Sequence, residues 1–242
     1  YFDFPLMVVK DDLQTIERIA YEMVEQLSSN GVKYAEVRYA PQLFVSILTQ
    51  ENIEKVISFV NSGFKRGMKD YPDTVVKTII CLMRGMPYEI NEMTYLATLN
   101  MSREEVVGID IAGDEYNYSG EELKEIFLDA KRNSLHITIH AGENAGSERI
   151  RLALDLGAER IGHGLALWHD KNLLKEVAER KICIETCPIS NFQTGAILRY
   201  GYHIEEMLNY GIPVCMNTDN MTVSNTSLVE EMNYLMNEHS FT

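Results

Sequence analysis

The chain of 242 residues is 45% hydrophobic, enough to bury a large core and the right size for one α/β domain. Its net charge is −14, with 22 Lys and Arg against 36 Asp and Glu and no basic run. That balance excludes a phosphate-tracking surface and favours a small-molecule partner over nucleic acid. No apolar run reaches the roughly 18 to 20 residues that span a bilayer, so no membrane partner is expected. Cys81, Cys183, Cys187 and Cys215 lie in apolar segments and form no CxxC pair. They read as structural thiols of a reducing, cytoplasmic setting rather than as disulfides or a thiolate zinc site. The start at Tyr1 has no initiator Met and fits neither a signal nor a transit peptide, so an upstream segment is expected to have been lost.

In chain order, Leu13, Ile16, Ile19, Met23 and Leu27 recur at helical spacing, with Asp11 or Asp12 placed to cap the start and Gly31 to end the helix. A strand is predicted at 33–40, a helix at 51–69, a strand at 75–83, a helix at 91–99 and a strand at 106–112. Ser119 stands three residues before Glu122, the capping-box spacing, which predicts a helix to about Arg132. Strands are then predicted at 136–140, 160–163, 181–187 and 212–217, separated by helices at 148–156, 172–180 and 204–209. A last helix opens near Ser227.

Strands alternating with helices, joined by short loops and rich in Val and Ile, indicate a mostly parallel sheet buried on both faces. The fold class that fits is α/β, a (β/α)8 TIM-type barrel lacking its first β/α unit and its C-terminal helices, with 1–242 as one incomplete domain. A doubly wound sheet is the alternative, but no G-x-G-x-x-G follows an early strand.

Reactive groups of a parallel barrel gather at the C-terminal ends of its strands. Those ends here are polar: Gly113-Asp114-Glu115, His140-Ala141-Gly142-Glu143, Gly162-His163-Gly164, Cys187-Pro188-Ile189-Ser190-Asn191 and Asn217-Thr218-Asp219-Asn220. Each motif has a bland explanation. A lone His on an apolar strand is commonly a satisfied core residue, Asp114 and Asp219 can be helix caps, and the glycines can serve tight strand exits. The bland explanations leave out why His, Glu, His and Asp fall at the same end of successive strands.

These motifs in this order, with Ile109-Asp110-Ile111-Ala112 ahead of them and Val37-Arg38-Tyr39-Ala40-Pro41 earlier, resemble the adenosine and AMP deaminase family, and adenosine deaminase most closely within it. The resemblance runs from about Ile16 to the end. It implies a (β/α)8 barrel holding one zinc through three histidines and an aspartate, two of them matched here by His140 and Asp219. The family's other two ligands come from an H-x-H on the first strand, and no H-x-H occurs in this sequence. None of His136, His169, His203 and His239 is an obvious substitute for them. The chain by itself is therefore expected to be metal-poor and inactive.

The reaction implied is hydrolytic deamination of adenosine or deoxyadenosine. The resemblance assigns Glu143 to protonation of purine N1 and His163 to the water that attacks C6. It assigns Gly113 to backbone approach at N3. Asn220 stands where many members carry a second Asp; its amide could donate to N7, which leaves substrate preference open. The rivals are a related aminohydrolase acting on adenine, AMP or a modified adenosine, and a non-catalytic binding protein that keeps the barrel. The cytidine-type zinc deaminases are excluded, because they need H-x-E with P-C-x-x-C.

Overall fold

The structure is a computed structural model and describes residues 3–238. Tyr1 and Phe2, which bear on the chain start, and His239 lie outside the described residues. The chain groups into two compact units. One comprises residues up to Ile111 with Glu125–His136, the other Ala112–Lys124 with the residues from Ile137 onward.

In the first unit the elements run α1 (Asp3–Val9), α2 (Leu13–Ser29), β1 (Tyr34–Tyr39), α3 (Gln50–Asp70), β2 (Val75–Met83), α4 (Tyr88–Leu99) and β3 (Val106–Ala112), with most of α5 (Lys124–Arg132). Asp12 caps α2, its carboxylate accepting from the Thr15 N–H at 3.0 Å and hydroxyl at 2.7 Å. Ile16, Ala20, Val24 and Leu27, spaced three and four apart, form the buried stripe of that helix. β1 and β2 pair in parallel from Tyr34 opposite Val75 to Tyr39 opposite Ile80. Val76, Thr78 and the run Ile79–Leu82 of β2 are buried, the continuous burial of a strand covered on both faces.

The second unit holds β4 (His136–Ala141) from Ile137 on, α6 (Ser147–Asp155), β5 (Arg160–His163), α7 (Lys171–Arg180), β6 (Cys183–Thr186), α8 (Pro188–Gln193), α9 (Ala196–Tyr200), α10 (Ile204–Asn209), β7 (Val214–Met216), α11 (Met221–Ser224) and α12 (Leu228–Glu238). β4 pairs with β5, β5 with β6 and β6 with β7, all in parallel. Glu185 of β6, buried, accepts from Thr138 Oγ1 of β4 at 2.9 Å and faces Arg160 of β5 at 3.0 Å, so its charge is paired and hydrogen-bonded. Strand order follows chain order in both units. The fold is α/β of the (β/α)-barrel class. Among the described residues no helix is long and apolar enough to cross a membrane.

The predicted elements differ from the observed ones chiefly at their ends. After Ser119 the helix opens with a 3₁₀ turn, Glu121–Leu123, N-capped by left-handed Gly120, and Ser119 Oγ accepts from the Glu121 N–H. The Ser119–Glu122 spacing is thus present, but a local turn takes up the cap. α8, α9 and α11 are one- to two-turn helices inside segments whose sequence reads as strand exits and loops.

Two glycines inside α3 set its distance from α2. A Cβ on Gly63 would lie 2.2 Å from the Glu17 carbonyl oxygen and 2.7 Å from Ala20 Cβ, and one on Gly67 would lie 2.6 Å from Val24 Cβ. Gly63→Ala gains about 1 kcal/mol of helix propensity but must push main chain aside. A net loss of about 1 to 3 kcal/mol is expected in urea unfolding. A stabilised variant would show that the two helices separate freely.

Candidate active site

All six residues singled out from the sequence fall in the second unit, at or just after the C-terminal ends of its strands or, for Gly113, at the exit of β3. The register of β4 against β5 sets His140 opposite Gly162 and Ala141 opposite His163. A Cβ at position 162 would lie 3.3 Å from His140 Cα and 3.4 Å from its Cγ, a tight contact with the imidazole of the neighbouring strand. The His140 and His163 rings are 5.1 Å apart at 53°.

His163 is buried and takes a left-handed backbone, φ 65°, rare for a side chain of its size. Asn191 Nδ2 lies 2.8 Å from its Nδ1. With the amide donating there, the neutral ring carries its proton on Nε2. That nitrogen faces Glu143 Oε2 at 3.7 Å. Glu143 Oε1 accepts from the Thr194 hydroxyl at 3.1 Å. One carboxylate thus reaches both the buried imidazole and the turn that follows α8.

Asp219 also has positive φ, 54°, and its Oδ2 accepts from Ser190 Oγ at 2.7 Å. Crowding by protein opposes its ionisation, although the residue keeps open solvent on one side. The His163 imidazole, the Ser190 hydroxyl, the His140 imidazole and the Asn220 N–H outweigh the crowding and hold its pKa below the ordinary aspartate value. Asn220 Oδ1 caps α11 by accepting from the Val223 N–H at 2.9 Å, which leaves its Nδ2 as the donor to offer a ligand. Gly113, φ 100°, is exposed at the end of β3. The next residue, Asp114, accepts from the Tyr116 and Asn117 N–H groups, so it caps a turn and not a helix.

The sequence profile described as "Adenosine deaminase" matches residues 1–242. The chain belongs to the adenosine deaminase family. An adenosine deaminase of Clostridium kluyveri is 34% identical, over 99% of this chain and 68% of that protein. The N6-methyl-AMP deaminase of Arabidopsis thaliana superposes with a TM-score of 0.85 at 25% identity, over 100% of this chain and 72% of that structure. An amidohydrolase of Burkholderia ambifaria, solved with bound zinc, shares the fold at a TM-score of 0.84 and 20% identity, over 97% of this chain and 65% of that one.

The nitrogen and oxygen donors of His140 and Asp219 are of the type zinc takes, and the His140 ring lies 5.1 Å from that of His163. The number of donors is short of a site: among the described residues no group of three or more His, Cys, Asp and Glu side chains is placed to hold a metal ion. The residues present fit part of a zinc site.

Four contributors were not singled out from the sequence. Ser190 and Asn191 lie within a quoted motif, but only the helical turn of α8 aims one at Asp219 and the other at His163. Pro188, at the first helical position, is the signal that could have revealed that turn. Thr194 and Glu231 left no trace. Glu231, buried on α12, accepts the Ile189 N–H of α8 at 2.9 Å through Oε2, and its Oε1 is buried without a partner among the described residues.

Burial raises the pKa of Glu231, more than the Ile189 N–H and the neighbouring Thr226 lower it. The folded protein therefore binds this proton more tightly than the unfolded chain. Ionised Glu231 lowers stability at neutral pH, and that loss is relieved as pH falls through the raised pKa. Glu231→Gln keeps an acceptor for Ile189 and should flatten this pH dependence. Glu231→Ala orphans the N–H and should lose about 1 to 3 kcal/mol. Urea unfolding across pH checks both, and equal losses would show that the acceptor is not what matters.

Proposed function

We propose that the chain is built for hydrolytic deamination of adenosine or deoxyadenosine: water adds at C6, ammonia leaves and inosine or deoxyinosine remains. The observation that carries this is the approach of His140, His163 and Glu143, with the two rings 5.1 Å apart and Glu143 3.7 Å from His163, while Asp219 is bonded through Ser190 to the same helix, α8, that bonds His163 through Asn191. Membership of the adenosine deaminase family supports it.

As C6 becomes tetrahedral, N1 must gain a proton, and Glu143 in its acid form donates it. The Thr194 bond steadies that carboxyl. His163, its Nδ1 occupied by Asn191, presents an Nε2 N–H. This supports stabilisation of negative charge on the attacking oxygen over removal of a proton. Gly113 offers main chain to N3, and Asn220 Nδ2 offers a donor to N7. His140 and Asp219 are the residues that would hold zinc, which when bound lowers the pKa of water toward about 7.

In the full-length enzyme Glu143→Gln should keep its zinc and lose at least about 10²-fold in turnover. His163→Ala should also keep zinc while losing most activity. Near-normal deamination by the first variant, or zinc loss by the second matching that of His140→Ala, would overturn these roles. A panel of adenosine, deoxyadenosine, adenine, AMP and N6-methyl-AMP tests the substrate. Preference for a nucleotide would favour the activity named for the Arabidopsis relative.

A zinc site ordinarily needs about three protein donors, and two are assigned here. The 242-residue chain is therefore expected to purify with well under one zinc and without deaminase activity. Stoichiometric zinc by elemental analysis would mean that a third residue of this chain ligates.

A further inference from the structure

Glu115 follows β3 by three residues and is 4% exposed. Its carboxylate is spent on one short segment. Oε2 accepts from the Gly142 N–H at 2.9 Å, and Oε1 accepts from Ala145 at 2.9 Å and also from Asn144. Three of the four main-chain N–H groups of 142–145 therefore converge on one buried side chain, and the residue they bracket is Glu143.

The same segment is tied on its other sides. The Gly142 carbonyl accepts from the Ala166 N–H at 2.9 Å, beyond the exit of β5. A Cβ on Gly142, φ 75°, would lie 2.6 Å from Ile150 Cδ1, so α6 packs directly against the loop. The carbonyl of Glu115 accepts from Arg149 Nε of α6 at 2.8 Å, which fixes the main chain that delivers the carboxylate. Bonds from N–H groups to a carboxylate are charge-assisted and stronger than neutral ones. A buried carboxylate needs such partners to stay in place.

We infer that Glu115 is a positioning residue: its carboxylate latches the 142–145 loop and so aims the Glu143 side chain at its proton acceptor. This rests on the proposed role of Glu143. A reacting group displaced by about 1 Å loses on the order of 10²-fold in rate. A Gln at 115 keeps an acceptor on one atom but turns an N–H donor toward another N–H, which releases one side of the latch.

The test is a double-mutant cycle in the full-length, zinc-loaded enzyme, with kcat per zinc and KM for adenosine measured in wild type, Glu115→Gln, Glu143→Gln and the double variant. Glu115→Gln should lower kcat roughly 10- to 100-fold with KM within about threefold. Added to Glu143→Gln, it should change kcat by less than about threefold, because the group it aims is already disabled. An equal loss in both backgrounds overturns the inference, as does wild-type kcat in Glu115→Gln. Should Glu115→Gln not yield folded protein, Glu115→Asp keeps the charge and enters the same cycle with the same expectation. Failure of both variants to fold with zinc overturns the inference in favour of a purely architectural role. Wild-type turnover in Glu143→Gln alone overturns the role of Glu143 and the inference with it, and that variant separates the two failures.

Discussion

The parallel pairing of β4 with β5 at His140 and Gly162 sets the spacing on which the candidate site depends. Parallel pairing puts these residues opposite each other, where a Cβ on Gly162 would make a tight contact with the imidazole. One residue further along, the register sets Ala141 beside His163, so two histidines from neighbouring strands end 5.1 Å apart. Parallel register is what brings them level, because parallel strands finish at the same end of the sheet.

Around that pair the molecule uses buried or crowded carboxylates in different ways. Asp219 is kept charged by two imidazoles and a hydroxyl. Glu231 is pushed toward its neutral form by burial and anchors α8 through one main-chain N–H. Glu115 answers three N–H groups of the loop that carries Glu143. The same functional group thus serves as a charge beside histidines, a helix anchor and a loop latch. What differs is the count and kind of donors each one meets.

Two of the six non-glycine residues with positive φ among the described residues lie at the same place. His163 and Asp219 both hold positive φ without being glycine, a conformation that costs of order 1 to 3 kcal/mol at each residue and persists only where surroundings enforce it. The side chain of His163 is held by Asn191 and that of Asp219 by Ser190, adjacent residues on the short helix α8. Glu231 holds the first turn of that helix. The strained residues are therefore braced by one small element, which is in turn braced by α12.

Periodicity in the sequence was sufficient for the seven strands, the long helices and their order, because burial on both faces demands continuous apolar strands and helices need apolar stripes at three- and four-residue spacing. The polar strand exits and the family they resemble were legible for a similar reason: His140, Glu143, His163 and Asp219 each sit within a few residues of a strand end. Their partners were not. Ser190 and Asn191 point at Asp219 and His163 only because Pro188 starts a helical turn, and Ser119 lost its expected cap to a local 3₁₀ turn. Glu115 lies 27 residues from the Gly142 N–H it accepts, and Glu231 lies 42 from Ile189. A lone Glu has the same local appearance whether it faces water or main chain. Local pattern determined which residues could do the chemistry. Tertiary structure alone decided which residues hold them in place, because an N–H left unpaired by its own segment is satisfied by whatever the fold brings beside it.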